Sequence, residues 1–161
     1  MKLPPEWRSF IDLLCTHKVR FVIVGAHALA AHGRPRATQD LDVLVAPTLV
    51  NARRVGAALH EFGFKALARA WRRFTGDECF VRLGLPPLQI DIMTHVTGVS
   101  FATAWRGRVV LTVDGLEIPF LGEAELRVNK AATGRAKDAL DLVLLGRPRR
   151  RRPRPKRLPR P

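Results

Sequence analysis

Cysteine is scarce in this chain. Two thiols in 161 residues, Cys15 and Cys79, provide neither a disulfide framework nor the paired spacing of a zinc site. Both are expected to be buried and inert. Long apolar runs are missing as well: nothing approaches the roughly 18 uncharged residues that a membrane span needs. The opening stretch Met1-Lys2-Leu3-Pro4-Pro5-Glu6-Trp7-Arg8 lacks an apolar signal core with a cleavage site. These absences exclude a disulfide scaffold and a membrane partner, and they point to a cytoplasmic protein. Aromatic residues are few, at 7% beside 47% hydrophobic residues, which suits a globular α/β chain. No internal repeat is visible, and the length fits one domain with a sizeable core.

Acidic residues are absent from one end. Residues 147–161 contain eight arginines, one lysine, five prolines and one leucine. Without them the chain keeps 19 basic and 14 acidic residues, so the net charge falls from +14 to +5. The body is thus mildly basic and the extreme charge belongs to an appendage. A segment of that composition buries no apolar area and is expected to be disordered. Two readings of it stand: attachment to nucleic acid by neutralising phosphates, or a low-complexity extension without a selected role. The organisation expected is a domain over 1–146 and a disordered Arg/Pro-rich tail over 147–161.

Residues 4–17 read as an amphipathic helix with Trp7, Phe10, Ile11 and Leu14 on one face. Arg20 to Val24 is a short apolar run, as in a buried strand. It leads into an alanine-rich helix over 26–32, stopped by Gly33. A polar loop follows, then a strand from Asp40 closed by Pro47. A helix over 48–62 is expected to turn Val50, Val55, Ala58 and Leu59 inward. Between 64 and 93 the pattern is strand-like but interrupted, with paired strands over 78–83 and 88–93. Asp114-Gly115 between two apolar runs is a strong hairpin signal. Helices over 122–132 and 135–145 complete a mixed, twisted sheet with helices on its faces.

Asp40-Leu41-Asp42 is the most informative motif. Alternate side chains of a strand share a face, so both carboxylates point one way while Leu41, Val43 and Val45 serve the core. Two ionised carboxylates that close repel, and keeping both charged calls for a cation. Asp91, framed by apolar neighbours in Leu88-Gln89-Ile90-Asp91-Ile92, is the third candidate. Three acids converging on a divalent metal suit phosphoryl or nucleotidyl transfer. Gly25, between a strand and a helix, would leave backbone N–H groups open to an anion. Taken alone, a D-x-D pair is commonly a solvated strand face and such a glycine a plain turn. Their proximity in sequence, fifteen residues apart, is what adds weight. Arg34 and Arg36 could grip phosphate or lie solvated in their loop. Trp71-Arg72-Arg73-Phe74 reads either as a base-stacking element or as an edge strand with exposed arginines. His27 and His32 are poorly spaced for a metal, and His95 reads as a strand-end residue.

Val24-Gly25-Ala26, the run Arg36-Ala37-Thr38-Gln39-Asp40-Leu41-Asp42-Val43, and Asp91 together resemble the minimal nucleotidyltransferase fold shared with DNA polymerase beta. More narrowly, the chain is similar to the bacterial nucleotidyltransferase-like proteins grouped with the AbiEii/AbiGii toxins. Two further stretches carry that likeness: Pro86 to Thr94 with Gly98-Val99-Ser100-Phe101 and Ala104-Trp105, and Asn129-Lys130-Ala131-Ala132-Thr133-Gly134-Arg135-Ala136-Lys137-Asp138-Ala139-Leu140-Asp141-Leu142.

The resemblance implies that Asp40, Asp42 and Asp91 hold magnesium or manganese, with Asp91 ligating metal or deprotonating the acceptor hydroxyl. It implies phosphate binding by Gly25, Ala26 and the Thr38 hydroxyl, and nucleotide contact by Lys137. Asp138 and Asp141 would orient Lys137, with Arg36 and Lys130 in support. Where the family usually has glycine or serine, this chain has Ala26, which offers only its backbone N–H. The expected activity is transfer of a nucleoside monophosphate from an NTP to a hydroxyl acceptor such as RNA or a tRNA end. A toxin with a protein antitoxin as partner is the biological setting the resemblance implies. The competing reading is a nucleic-acid-binding module on the same fold that has lost turnover.

Overall fold

The computed structural model describes residues 2–146; the tail expected to be disordered lies outside the described residues. Helix α1 (Pro5–Thr16) starts with proline in its first turn, where a missing N–H is harmless, and buries Trp7, Phe10, Ile11 and Leu14. Strand β1 (Phe21–Ile23) is buried throughout and passes directly into α2 (Gly25–Ala31). After the polar loop comes β2 (Asp40–Val45), then α3 (Leu49–Glu61), where the Thr48 hydroxyl accepts from the Asn51 N–H. The C-terminal half adds β3 (Phe80–Leu83), β4 (Gln89–Met93), α5 (Phe101–Gly107), the hairpin β5 (Val109–Val113) and β6 (Leu116–Phe120), and α6 (Glu123–Thr133) and α7 (Ala136–Leu145). Asp114 and Gly115 both adopt positive φ, 48° and 82°, as a primed hairpin turn requires.

The six strands lie in the order β3-β4-β2-β1-β6-β5. β2 runs parallel to β4 and antiparallel to β1, while β3 pairs antiparallel with β4. β1 and β6 are parallel, and β5 closes the far edge antiparallel to β6. Each face of this mixed sheet covers its own apolar cluster. Leu41, Val43, Ile90 and Ile92 belong with the side chains of α1 and α3. Val22, Val24 and Leu44 meet Ala28, Leu29, Ala104, Leu126 and Leu145 on the other side. Since side chains alternate along a strand, Asp40, Asp42 and Asp91 all project from this second face.

Three local expectations need correction. Val50 is 59% exposed, because Asn51 takes the inward position. Its amide donates to the carbonyls of Arg20 and Ala46 at 3.0 Å each and accepts from Arg20 N–H at 2.7 Å, which fixes the rotation of α3. The stretch after Phe64 is helical, forming α4 (Lys65–Arg69) and a 3-10 turn over Trp71–Thr75. Its short apolar pattern is alanine-rich and favours helix, and Trp71-Arg72-Arg73-Phe74 is therefore no edge strand. Cys15 and Cys79 are half-buried, and burial pushes both thiols up, keeping them protonated and weakly nucleophilic.

A buried ion cluster clamps α6 and α7 to the loop before β2. Lys130 Nζ reaches Asp138 at 2.6 Å and Asp141 at 2.8 Å. Asp138 also accepts from the Thr133 hydroxyl and Arg135 Nε, both at 2.6 Å. Asp141 takes Arg36 in a two-point pair at 2.7 and 3.2 Å. Burial opposes ionisation of Asp138, but the bonds from Lys130, Thr133 and Arg135 prevail and hold its pKa down at about 2. The cluster stays charged through the neutral range, and its Arg36 arm ends four residues before Asp40. Lys130→Ala would leave two buried carboxylates short of their cation and is expected to cost about 3–5 kcal/mol, read as a lower urea midpoint. An unchanged midpoint would show that the cluster does not stabilise the fold.

Candidate active site

Parallel pairing of β2 with β4 sets Asp42 directly beside Asp91. Asp40, two residues earlier on the same face, completes a group in which one oxygen of each carboxylate lies within 4.8 Å of the others. Asp91 is buried, while Asp40 and Asp42 are partly exposed. The three open onto a cleft of about 740 Å³, large enough for a nucleotide-sized ligand. Gly25, Ala26, Thr38, Arg36, Lys130, Arg135 and Lys137 border it. Phe80, Arg82, Met93 and His95 also line it.

Each acid meets different company. Asp40 accepts the Thr38 hydroxyl, so that hydroxyl serves the acid rather than standing free for a phosphate. Asp91 is gripped by Arg82 through Nε and Nη2, both at 3.0 Å, and by the Gln89 amide at 3.0 and 3.1 Å. The Asp42 carboxylate has no hydrogen bond or ion pair among the described residues, although its backbone carbonyl accepts from Val24 N–H at 3.0 Å. Burial pushes it up to about 6, and repulsion from Asp40 and Asp91 adds to the shift, against the pull of Lys130 and Lys137. A lone, strained carboxylate between two others is the donor set a hard divalent cation fits.

Gly25 explains how Asp42 gets there. It has φ of +64°, and a Cβ on it would fall 2.0 Å from an Asp42 oxygen. Any side chain would evict the carboxylate. The residue is thus required by the acid, in addition to opening the backbone at the start of α2, which carries no side-chain cap.

The resemblance implied that Asp138 and Asp141 orient Lys137, but the ion pairs they make among the described residues are with Lys130, Arg36 and Arg135. Lys137 is exposed and borders the cleft, whereas Asp138 and Asp141 are fully buried and orient Lys130 and Arg36 instead. The helix carries its acids inward because Lys130, reaching across from α6, supplies the buried positive charge. Arg34 bonds the Leu144 carbonyl at 2.8 Å, tying down the end of α7. His27 packs edge-on against Trp7 with ring centroids 5.0 Å apart, and His32 meets the Leu121 carbonyl at 2.8 Å. His95 is exposed at the cleft.

Sequence reasoning missed Arg82, Gln89, Thr133 and Arg135. Gln89 had a readable signal, being two residues before Asp91 on one strand and hence on its face. Arg82 had none, because its partnership depends on the antiparallel register that pairs it with Asp91.

No protein-family model matches the chain, and no curated protein matches it. Among solved structures, a Thermotoga maritima crystal structure, provisionally described as a nucleotidyltransferase, aligns with a TM-score of 0.56 at 18% sequence identity. The alignment covers 85% of this chain and 88% of that one. The likeness shows that the two chains share a fold; independently of it, Asp40, Asp42 and Asp91 form a group that could hold a metal ion.

The raised pKa of Asp42 has a definite sign. In the unfolded chain the group ionises near 3.8, so the folded protein holds its proton longer, and stability falls as pH rises from about 4 through about 6. Without metal, Asp42→Asn is expected to be more stable than the parent at pH 7.5, by up to about 3 kcal/mol. That gap should shrink below about 1 kcal/mol at pH 4. Urea unfolding in chelator at both pH values checks this, and a gap that ignores pH would refute it.

Proposed function

We propose that the protein is a metal-dependent nucleotidyltransferase that moves a nucleoside monophosphate from an NTP to a hydroxyl acceptor. The observation carrying this reading is the three-carboxylate cluster, in which the Asp42 carboxylate has no ion-pair partner among the described residues, on a fold shared with a protein provisionally described as a nucleotidyltransferase.

Asp40, Asp42 and Asp91 are the residues that would hold magnesium or manganese, whose charge would polarise phosphate oxygens and favour the ionised acceptor. Thr38 keeps Asp40 turned toward the cleft. Gly25 and Ala26 offer backbone N–H groups to the triphosphate, and Lys137 lends a mobile positive charge at the same border. Arg36 and Lys130 stay engaged with Asp138 and Asp141, so they act on the nucleotide through their field and by fixing the loop before β2. Asp91 ligates the metal or takes the acceptor's proton. The acceptor oxygen forms its bond to the α-phosphorus as the bond to pyrophosphate breaks. RNA, including a tRNA end, is the acceptor that suits a basic protein, and the chain acts as the toxin of a pair held in check by an antitoxin protein.

Ala26 favours a second reading, a nucleic-acid-binding module without turnover, since it offers phosphate no hydroxyl. Incubation with α-labelled NTPs and total RNA separates the two. The parent protein is expected to label RNA, and Asp42→Asn to fall to background with an unchanged circular dichroism spectrum. Equal labelling by both would end the enzymatic reading. Growth arrest on expression, relieved by Asp40→Asn or Asp42→Asn, is the result expected of a toxin; harmless expression of the parent would remove that role.

A further inference from the structure

Asp91 is the best-bonded of the three acids. A carboxylate offers about four lone-pair positions, and Arg82 and Gln89 together make four contacts to its two oxygens, from 3.0 to 3.1 Å. A cation shared with Asp42 therefore has to displace one partner. Gln89 is buried, at 6% exposure. The Arg82 side chain is 54% exposed on β3, an edge strand, and can swing outward while staying hydrated. Two residues before it on the same face, Phe80 is 50% exposed, and the Arg82 guanidinium carbon sits 5.5 Å from the centre of its ring.

Strand order gives this pair a direction. Across the sheet, Phe80 and Arg82 on β3 come first, then Asp91 on β4, Asp40 and Asp42 on β2, and Gly25 at the end of β1. Gly25 and Ala26 lie on one side of the acids, the aromatic–arginine pair on the other. An exposed ring beside a guanidinium matches a base with its phosphate, the unit repeated along single-stranded nucleic acid.

We propose that Arg82 is a displaceable cover on Asp91. It holds the acid in the metal-free protein, yields it to a divalent cation, and then binds a backbone phosphate at the end of a single-stranded polynucleotide acceptor, whose base stacks on Phe80. The inference rests on the proposed function and adds to it the acceptor side of the cleft. It also explains why a buried carboxylate keeps a partner that is mostly in water: an exposed guanidinium is readily exchanged.

The full-length protein, with its arginine Nε–H signals resolved by 15N NMR and that of Arg82 assigned through Arg82→Lys, provides the test. In chelator the Arg82 signal should be slowly exchanging, and magnesium alone should shift it or average it away. Manganese, followed by its electron paramagnetic resonance, should bind Arg82→Gln several-fold more tightly than the parent. A short fluorescent oligoribonucleotide should bind the parent more tightly with magnesium than without, and that increment should vanish in Arg82→Gln and in Phe80→Ala. The tail contributes equally in every case, so only the increment is read. An Arg82 signal unmoved by saturating magnesium, unaltered manganese affinity in Arg82→Gln, or a preserved increment in either variant overturns the proposal while leaving the metal site standing. Failure of the parent to bind manganese at all would overturn both this inference and the proposed function.

Discussion

Like charges at close range organise this molecule. The parallel register of β2 and β4 brings Asp42 against Asp91, with Asp40 one side-chain repeat away, and their mutual repulsion is relieved unequally. Asp91 is neutralised by Arg82, Asp40 receives a hydroxyl from Thr38, and Asp42 is left to hold its proton to about pH 6. Hydrophobic residues on the opposite face, Leu41, Val43, Ile90 and Ile92, lock the register, so the acids cannot drift apart without breaking the core. The strain is set by the same strands that bury the apolar side chains.

Around that negative centre the protein arranges positive charge at two levels of mobility. Lys130 and Arg36 are bound to Asp138 and Asp141 and cannot move without leaving buried carboxylates exposed to each other. Arg82, Arg135 and Lys137 sit nearer to water. Fixed cations shape the field of the cleft, and mobile ones can change partner when a phosphate arrives. The division follows burial: the deeper the ion pair, the greater the penalty for opening it.

Much of the scaffold was legible along the chain. The alternation in Asp40-Leu41-Asp42-Val43 put the acids on one face, and Asp114-Gly115 announced its hairpin, because period and turn chemistry are local properties. Val50 points outward, against expectation, since the inward place goes to Asn51, which looks polar until its three backbone partners are present. The stretch Lys65–Arg69 is helical within a region whose pattern is strand-like but interrupted, because short apolar runs fit either period. The resemblance paired Lys137 with Asp138 and Asp141, yet the cation that meets both acids, Lys130, lies on another helix.

The amino-acid order alone determined the alternation of the acids along their strands and the glycine that precedes them, because backbone geometry turns spacing into direction without outside help. Which strand lies beside which, and so whether Asp91 faces Asp42 and Arg82 faces Asp91, was decided only in the folded sheet. Strand pairing is a contest among distant segments, settled by burial of whole faces. The assignment of each cation to its carboxylate follows from that outcome.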